Sequence, residues 1–215
     1  MSDLDRARER MVDDQIARRG VRDERVLAAM RKVPRHEFVA VAQEWSAYAD
    51  YPLHIAEKQT ISQPYIVARM CEAARIQPGD RVLEIGTGSG YGAAVLAELA
   101  AEVYTIERHD SLADAARLRL RPYPNVEVRC SDGTLGWPER QPFDAIVVTA
   151  AGPAVPQPLT EQLVIGGRLV LPVEVRHHGQ QLIRVTRVAE HSYTEETLLP
   201  VAFVPLIGRF GRPER

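Results

Sequence analysis

The sequence has little cysteine and no residue pattern typical of a metal site. Cys71 and Cys130 are the only two cysteines among 215 residues, and neither belongs to a CxxC pair. The six histidines form no HExxH or other ligand spacing. These absences exclude a disulfide framework, a zinc ribbon and a zincin-type site, and they are typical of a reducing compartment. We therefore predict a cytoplasmic protein without a metal ion.

An excess of charge and a long apolar run are also missing. The 27 Lys and Arg and the 29 Asp and Glu leave a formal net charge of −2, so no positive field draws the protein to nucleic acid or anionic lipid. The longest uncharged stretch, residues 145–160, contains a glycine and three prolines and is too short to span a bilayer. The charged N-terminus is unlike a signal peptide. We expect a monomer without nucleic-acid or membrane partners.

What is present is the composition of a soluble globular chain, 45% hydrophobic and 26% charged. The length favours one large domain with a smaller attachment. We predict a single domain over residues 1–215, with a helical attachment over 1–50, a cofactor-binding α/β core over 80–175 and antiparallel edge strands over 176–210. The mixed charges of the attachment favour a solvated helix face over a nucleic-acid arm.

The core is predicted from short β-branched runs that alternate with helical stretches. The runs are RVLEIG, EVYTIE, NVEVRC, FDAIVVT and GRLVLPV, with helices between them, the last around residues 158–164. Such alternation indicates right-handed βαβ units and a mostly parallel sheet. After Pro172 the alternation stops, and LIRVTRV and TLLPVAFVPLI predict an antiparallel pair at the sheet's edge.

The first of these strands runs into a glycine-rich turn and then a helix. Glycine lets backbone approach a ligand closely, and ligands of open α/β sheets bind where the strand order reverses. The turn therefore predicts a nucleotide-like cofactor at Gly86, Thr87, Gly88, Ser89 and Gly90.

Two readings of the glycines remain open. Counted from Gly88, they give GxGxxA, which is acceptable for NAD. However, Glu84 stands two residues before Gly86, and acid-x-Gly-x-Gly-x-Gly resembles the first motif of S-adenosyl-L-methionine (AdoMet) methyltransferases. Glu84 is therefore included among the predicted cofactor-binding residues.

Two later acids extend the predicted site. Glu107 ends the second strand, where a carboxylate can accept hydrogen bonds from both ribose hydroxyls of an adenosine or of NAD. The alternative is an acid that caps the next helix. Asp132 and Gly133 follow the third strand, where they either meet an adenine or form an ordinary Asp-Gly turn.

Upstream stands QTISQPYIVARM, in which Ser62 is placed to cap a helix with Pro64 in its first turn. Together with VLEIGTGSGYGAAVLAEL, VYTIER, SDGTLGW, PFDAIVVTAAGPAVPQPL and GGRLVLPV, this block resembles the protein-L-isoaspartate O-methyltransferase family, from about residue 10 to the FVPL near 206. Three positions depart from the family pattern: Lys58 replaces a usual Gly, Gly92 a usual Gln and Glu174 a usual Gly.

The resemblance implies a Rossmann-like AdoMet-dependent methyltransferase fold and an enzyme that methylates the free α-carboxylate of L-isoaspartyl residues in damaged proteins and peptides. The methyl ester then cyclises to a succinimide, which hydrolyses in part to a normal aspartyl linkage. By motif, Ser62 falls on the family's active-site serine. The substrate-positioning candidates are Gln59, Thr60, Ile61, Ser62, Val204 and Pro205. Since the carboxylate is already ionised at neutral pH, no general base is expected.

Three other functions are considered. An NAD dehydrogenase follows from the second glycine register. A nucleic-acid methyltransferase would need [DN]PP[YF] after the fourth strand or a Pro-Cys nucleophile, whereas this chain has TAAGP there. A noncatalytic AdoMet-binding module is supported only by the departures at Lys58 and Gly92.

Overall fold

The computed structural model describes residues 2–214. Its first part is helical, as the sequence predicts, because apolar residues recur on one face and Asp23 caps α2 through a 2.9 Å bond from the amide of Arg25. The helical segments are α1 (Asp3–Arg10), a π-helix (Met11–Ile16), a 3-10 turn (Ala17–Arg19), α2 (Glu24–Lys32) and 3-10 segments at Arg35–Phe38 and Val41–Ser46.

A small hairpin and a helix lead to the sheet. Strands β1 (Leu53–His54) and β2 (Thr60–Ile61) pair antiparallel around a 3-10 turn (Ala56–Lys58), and α3 (Pro64–Ala74) follows. Pro64 occupies the first helical turn as predicted, but the prediction that Ser62 caps α3 is wrong. The cap position belongs to Gln63, since the helix begins at Pro64, and no side chain there bonds the helix.

The central sheet has seven strands in the order β5-β4-β3-β6-β7-β8-β9. The first five strands in this order are parallel to one another. Strand β8 runs antiparallel to β7, and β9 runs antiparallel to β8, which confirms the predicted mixed sheet. The helix before β7 is shorter than predicted, because β7 already begins at Leu163. The elements are β3 (Arg81–Ile85), α4 (Tyr91–Ala97), β4 (Glu102–Glu107), α5 (Asp110–Arg119), β5 (Val126–Cys130), β6 (Phe143–Val148), α6 (Gln157–Glu161), β7 (Leu163–Val175), β8 (Gly179–Ala189) and β9 (Ser192–Val201).

The FVPL segment is not part of the edge strands, contrary to expectation. Strand β9 ends at Val201, because the side-chain amide of Gln180, not a strand backbone, pairs with both backbone groups of Phe203. The chain then turns to the end of β6, where the carbonyl of Val204 accepts from the amide of Ala151 at 2.8 Å. FVPL thus crosses the carboxyl end of the sheet.

Two hydrophobic clusters cover the two faces of the sheet. Side chains alternate along each strand, so Val82 joins one cluster and Leu83 the other. The first cluster also contains Met11 and Met30, so the N-terminal helices share a core with the sheet. Within residues 2–214, no helix is long and apolar enough to cross a membrane.

Candidate active site

An open cleft lies where the strand order reverses, at the carboxyl ends of β3, β4 and β6. This is the edge of an open α/β sheet where ligands bind, and the sequence predicts a site there. The cleft is lined by Gln59, Thr60, Ile85, Gly86, Gly88, Ile106, Glu107, Arg108, His109, Gly133, Thr149, Ala150, Val204, Pro205, Leu206 and Ile207.

The glycine turn needs glycine for both conformation and space. Gly86, Gly88 and Gly90 all have positive φ, at +97°, +51° and +92°. A Cβ on Gly86 would lie 2.4 Å from Oγ1 of Thr149, a hydroxyl that donates to the Gly86 carbonyl at 2.8 Å. The turn is therefore pressed against the end of β6, which leaves its backbone open to the cleft.

Glu107 is held by backbone amides at the floor of the cleft. Its carboxylate accepts hydrogen bonds from the amides of Gly88 (2.8 Å), Arg108 (2.8 Å) and His109 (3.1 Å). The residue is only 5% exposed. These donors fix the rotamer and hold the charged group beside the glycine turn.

Glu84 lies beneath the turn and does not line the cleft. It is 1% exposed, and its Oε2 accepts from the hydroxyl of Thr105 at 2.6 Å, which in turn bonds the hydroxyl of Thr87 at 2.6 Å. Burial raises the pKa of Glu84 to about 8. The structure therefore places both Glu84 and Thr87 under the backbone that faces the cleft.

Gly92, one of the departures from the family pattern, lies directly against this buried acid. A Cβ on Gly92 would lie 2.2 Å from Oε1 of Glu84. The space that a larger residue at position 92 would need is filled by the carboxyl group. Ser89 is also buried, and its hydroxyl accepts from the Tyr91 amide at 3.3 Å, at the start of α4. Like Gly90, Ser89 is not among the residues that line the cleft.

Asp132 serves as a local cap while its neighbour Gly133 faces the cleft. One carboxylate oxygen accepts from the amide and hydroxyl of Thr134, at 2.9 and 2.7 Å, and the other accepts from the amide of Arg209 at 2.8 Å. A Cβ on Gly133 would meet Cγ2 of Ile85 at 2.4 Å. In this conformation the Asp-Gly turn interpretation therefore describes Asp132.

The QTIS segment reaches the cleft with its first two residues. Gln59 and Thr60 line it, together with Val204 and Pro205 from the segment after β9. Ile61 is 4% exposed. Ser62 lies in an adjoining depression, which Thr60 also lines; its other residues are Pro52, Gln63, Ile66, Pro200, Val201, Ala202 and Phe203. Thr60 thus lies between the two spaces.

The loop before QTIS explains why Lys58 is unusual there. Both Glu57 and Lys58 have left-handed backbones, with φ of +56° and +57°, a region that glycine occupies without steric cost. Glu57 accepts from the hydroxyl of Ser111 at 2.6 Å, and its carboxylate lies 3.9 Å from Nδ1 of His109. These contacts attach the loop to the start of α5, beside the cleft.

Glu174, the third departure, anchors the C-terminal segment. Its carboxylate accepts two bonds from the guanidinium of Arg212, at 2.5 and 3.1 Å. The amide of Arg212 in turn donates to the carbonyl of Leu206, a cleft residue, at 2.7 Å. On the other side of the cleft, Arg108 pairs with Glu214. The segment 206–214 therefore forms a strap over the carboxyl end of the sheet, and its first residue, Leu206, lies in the cleft wall.

Sequence reasoning missed several lining residues. Arg108 and His109 directly follow β4, and Thr149 and Ala150 directly follow β6. The rule that ligands meet the carboxyl ends of parallel strands would have found these four. Ile207 offered no such signal, because its position depends on the crossing of the C-terminal segment.

Comparison with known proteins gives consistent relatives over nearly the whole chain. The family model of protein-L-isoaspartate(D-aspartate) O-methyltransferase matches residues 6–211. Protein-L-isoaspartate O-methyltransferase 2 of Pelobacter propionicus is 57% identical over 206 residues, which cover 95% of this chain and 92% of that protein. Protein-L-isoaspartate O-methyltransferase of Rhodopseudomonas palustris is 56% identical over 203 residues, or 94% of this chain and 93% of that protein.

Solved structures resemble the fold closely. A protein-L-isoaspartate O-methyltransferase superimposes with a TM-score of 0.84 at 28% identity, over 95% of this chain and 67% of that one. A Plasmodium falciparum protein described as a protein-L-isoaspartate O-methyltransferase, solved with S-adenosyl-L-homocysteine, gives a TM-score of 0.81 at 24% identity, over 93% of this chain and 98% of that one. The second likeness concerns the fold alone.

Proposed function

Because the chain belongs to the protein-L-isoaspartate(D-aspartate) O-methyltransferase family, we propose that the cleft at the ends of β3, β4 and β6 binds AdoMet. The protein is an AdoMet-dependent repair enzyme that methylates the free α-carboxylate of L-isoaspartyl residues in damaged proteins and peptides. The resulting ester leads through a succinimide back to aspartyl linkages. The observation that carries the cofactor assignment is Glu107, fixed by three amides beside a glycine turn.

The residues that line the cleft fit this cofactor. Three amides occupy three of the roughly four acceptor positions of the Glu107 carboxylate, which leaves one for a ribose hydroxyl. Gly86, Gly88 and Gly133 also line the cleft. Glu84 supports the turn from below through Thr105. When bound, AdoMet supplies a methyl group on a positively charged sulfur.

Ser62, Gln59 and Thr60 act as positioning donors for the substrate carboxylate. That group is already ionised at neutral pH, so the chain needs only to orient it in line with the methyl and to exclude water. Thr60 lines both the cleft and the depression that contains Ser62, so the two spaces are neighbours. The buried side chain of Ile61 holds the QTIS segment in place, and Val204 and Pro205 face the backbone of the substrate peptide.

The remaining features complete the proposal. We infer a monomer of one domain over residues 1–215, acting in the cytoplasm without nucleic acid or membrane as partner. A net charge of −2, two free cysteines and a core shared by the N-terminal helices and the sheet support it. Size-exclusion chromatography with light scattering tests the monomer; a stable dimer would contradict it.

The function is tested with an isoaspartyl peptide and its aspartyl twin of identical sequence. In the isoaspartyl form the carboxylate is on the α-carbon, whereas in the aspartyl form it lies one methylene further out. Misplacement by about 1 Å can cost on the order of a hundredfold in rate. We expect kcat/KM to differ by at least that factor. Comparable rates for the two peptides would contradict the repair function. Calorimetry with AdoMet and with NAD tests the cofactor assignment separately, since binding of NAD and not of AdoMet would contradict that assignment alone.

A further inference from the structure

Arg35 is a cation buried without a counterion. Its side chain belongs to the 3-10 segment after α2 and is 0% exposed. Neither of its hydrogen-bond acceptors is a carboxylate, and Nη1 has no acceptor among the described residues. Burial lowers the pKa of Arg35 to about 10, so it remains charged at neutral pH. Burying a charge in this way is costly, and a side chain kept there calls for a reason other than stability.

The three contacts of Arg35 join three separate segments of the chain. Nε donates to the carbonyl of Ala47 at 2.7 Å, in the N-terminal helical region. Nη2 donates to the carbonyl of Ser62 at 2.8 Å. The guanidinium carbon lies 4.8 Å from the ring centre of Tyr91, the first residue of α4. One planar group thus contacts both the QTIS segment and the helix that follows the glycine turn.

A neighbouring contact strengthens this link to the cofactor turn. Phe38, three residues after Arg35, packs edge-on against Tyr91 with ring centres 5.7 Å apart. A Cβ on Gly90 would lie 3.6 Å from the Phe38 ring. The segment Arg35–Phe38 is therefore packed directly behind the glycine turn. A shift of the Ser62 backbone away from that turn would break the bond between its carbonyl and Arg35.

We infer that Arg35 is a positioning residue, which holds Ser62 at a fixed distance from the cofactor turn by binding the Ser62 carbonyl while stacking on Tyr91. This inference rests on the proposed role of Ser62 in orienting the substrate carboxylate. It assigns part of the active-site geometry to the N-terminal helical region. A guanidinium suits this purpose because its donors diverge in a rigid plane, whereas an ammonium is a point charge that cannot hold both carbonyls and stack.

The test compares Arg35→Met and Arg35→Lys with Arg81→Met as control. Arg81 also stacks on a tyrosine, Tyr104, but at the opposite end of the sheet. Kinetics with the isoaspartyl peptide, AdoMet calorimetry and thermal melting are measured on each. For Arg35→Met we expect kcat per folded molecule to fall at least tenfold and AdoMet affinity to change less than threefold. The melting temperature should also fall, because the carbonyls of Ala47 and Ser62 lose their donor. Arg35→Lys should not restore kcat, and Arg81→Met should keep it.

A second arm asks whether Arg35 acts through Ser62. If it does, adding Arg35→Met to Ser62→Ala should reduce kcat by less than threefold further, because the two changes remove one function. Wild-type kcat in folded Arg35→Met, or a loss that only follows the folded fraction in both Arg35 variants, would overturn the inference. Multiplicative losses in the double variant would also overturn it. Failure of the proposed function is distinct, since the unmodified enzyme would then not methylate the isoaspartyl peptide.

Discussion

Glu107 shows how backbone amides can hold a side chain in place before a ligand binds. Three amides hold its carboxylate, so binding does not require it to be ordered first. We expect Glu107→Ala to weaken AdoMet binding by about 1.5 to 3 kcal/mol, which is tenfold to over a hundredfold. Titration calorimetry measures this. Glu102→Ala, at the exposed start of the same strand, should bind normally; unchanged affinity in folded Glu107→Ala would contradict the ribose assignment.

Ser62 is the residue for which the structure removes a competing explanation. It does not cap α3, so truncating its hydroxyl should not cost the stability that losing a cap would. We expect turnover of Ser62→Ala to fall at least tenfold while the melting temperature shifts by only a few degrees. Steady-state kinetics and thermal melting on the same preparation decide the point. Normal turnover would end its assignment as the active-site serine.

At the scale of elements, the loop Ala56–Lys58 carries backbone strain beside the cleft. Lys58 is exposed with φ of +57°, a conformation that costs an L-residue about 1 to 2 kcal/mol, against about 0.5 to 1 kcal/mol of extra chain entropy for glycine. We expect Lys58→Gly to stabilise the protein by up to about 1 kcal/mol in urea unfolding. Lys58→Ala keeps the Cβ and should gain nothing. Equal effects of the two substitutions would contradict strain as the cause.

The C-terminal strap is the second element with a testable role. Glu174 and Arg212 join the end of β7 to the strap, whose first residue forms part of the cleft wall. Partly exposed ion pairs contribute little free energy, so the loss of this pair should loosen the strap only slightly. We therefore expect Glu174→Gln to raise the Kd for AdoMet only roughly two- to fivefold. Glu196→Gln, which breaks the exposed pair with Arg184 between β8 and β9, is the matched control. An unchanged Kd in Glu174→Gln would mean that the strap keeps its position without this pair.

At the scale of the whole molecule, Glu84 should make folding stability depend on pH. Burial raises its pKa to about 8 from an ordinary 4.5. Between these values the native state keeps a proton that the unfolded chain has lost, so the free energy of unfolding falls as pH rises, by up to about 1.4 kcal/mol per pH unit. We expect urea unfolding from pH 5 to 8.5 to show this fall, and Glu84→Gln to flatten it. Glu127→Gln, on the exposed side of β5, should leave it intact; an unchanged slope in Glu84→Gln would refute the assignment.

The alternation of strands and helices, the glycine turn and the place of Pro64 in the first turn of α3 could all be predicted from the chain. They depend on local rules: residue periodicity, the conformational freedom of glycine and the fixed φ of proline. The place of Glu107 at the end of β4 follows from the same rules, because parallel strands end at one edge of the sheet.

Only the tertiary structure decided which side chains meet across the chain. Glu84 fills the space above Gly92, Arg35 contacts both Ser62 and Tyr91, and FVPL leaves the sheet to form a wall of the cleft. Local patterns hold no information about such contacts, since each depends on burial and on packing between segments far apart in the sequence. The sequence by itself therefore determined the type of protein and the edge at which its cofactor site lies, whereas packing determined which residues face the cleft and which support it from behind.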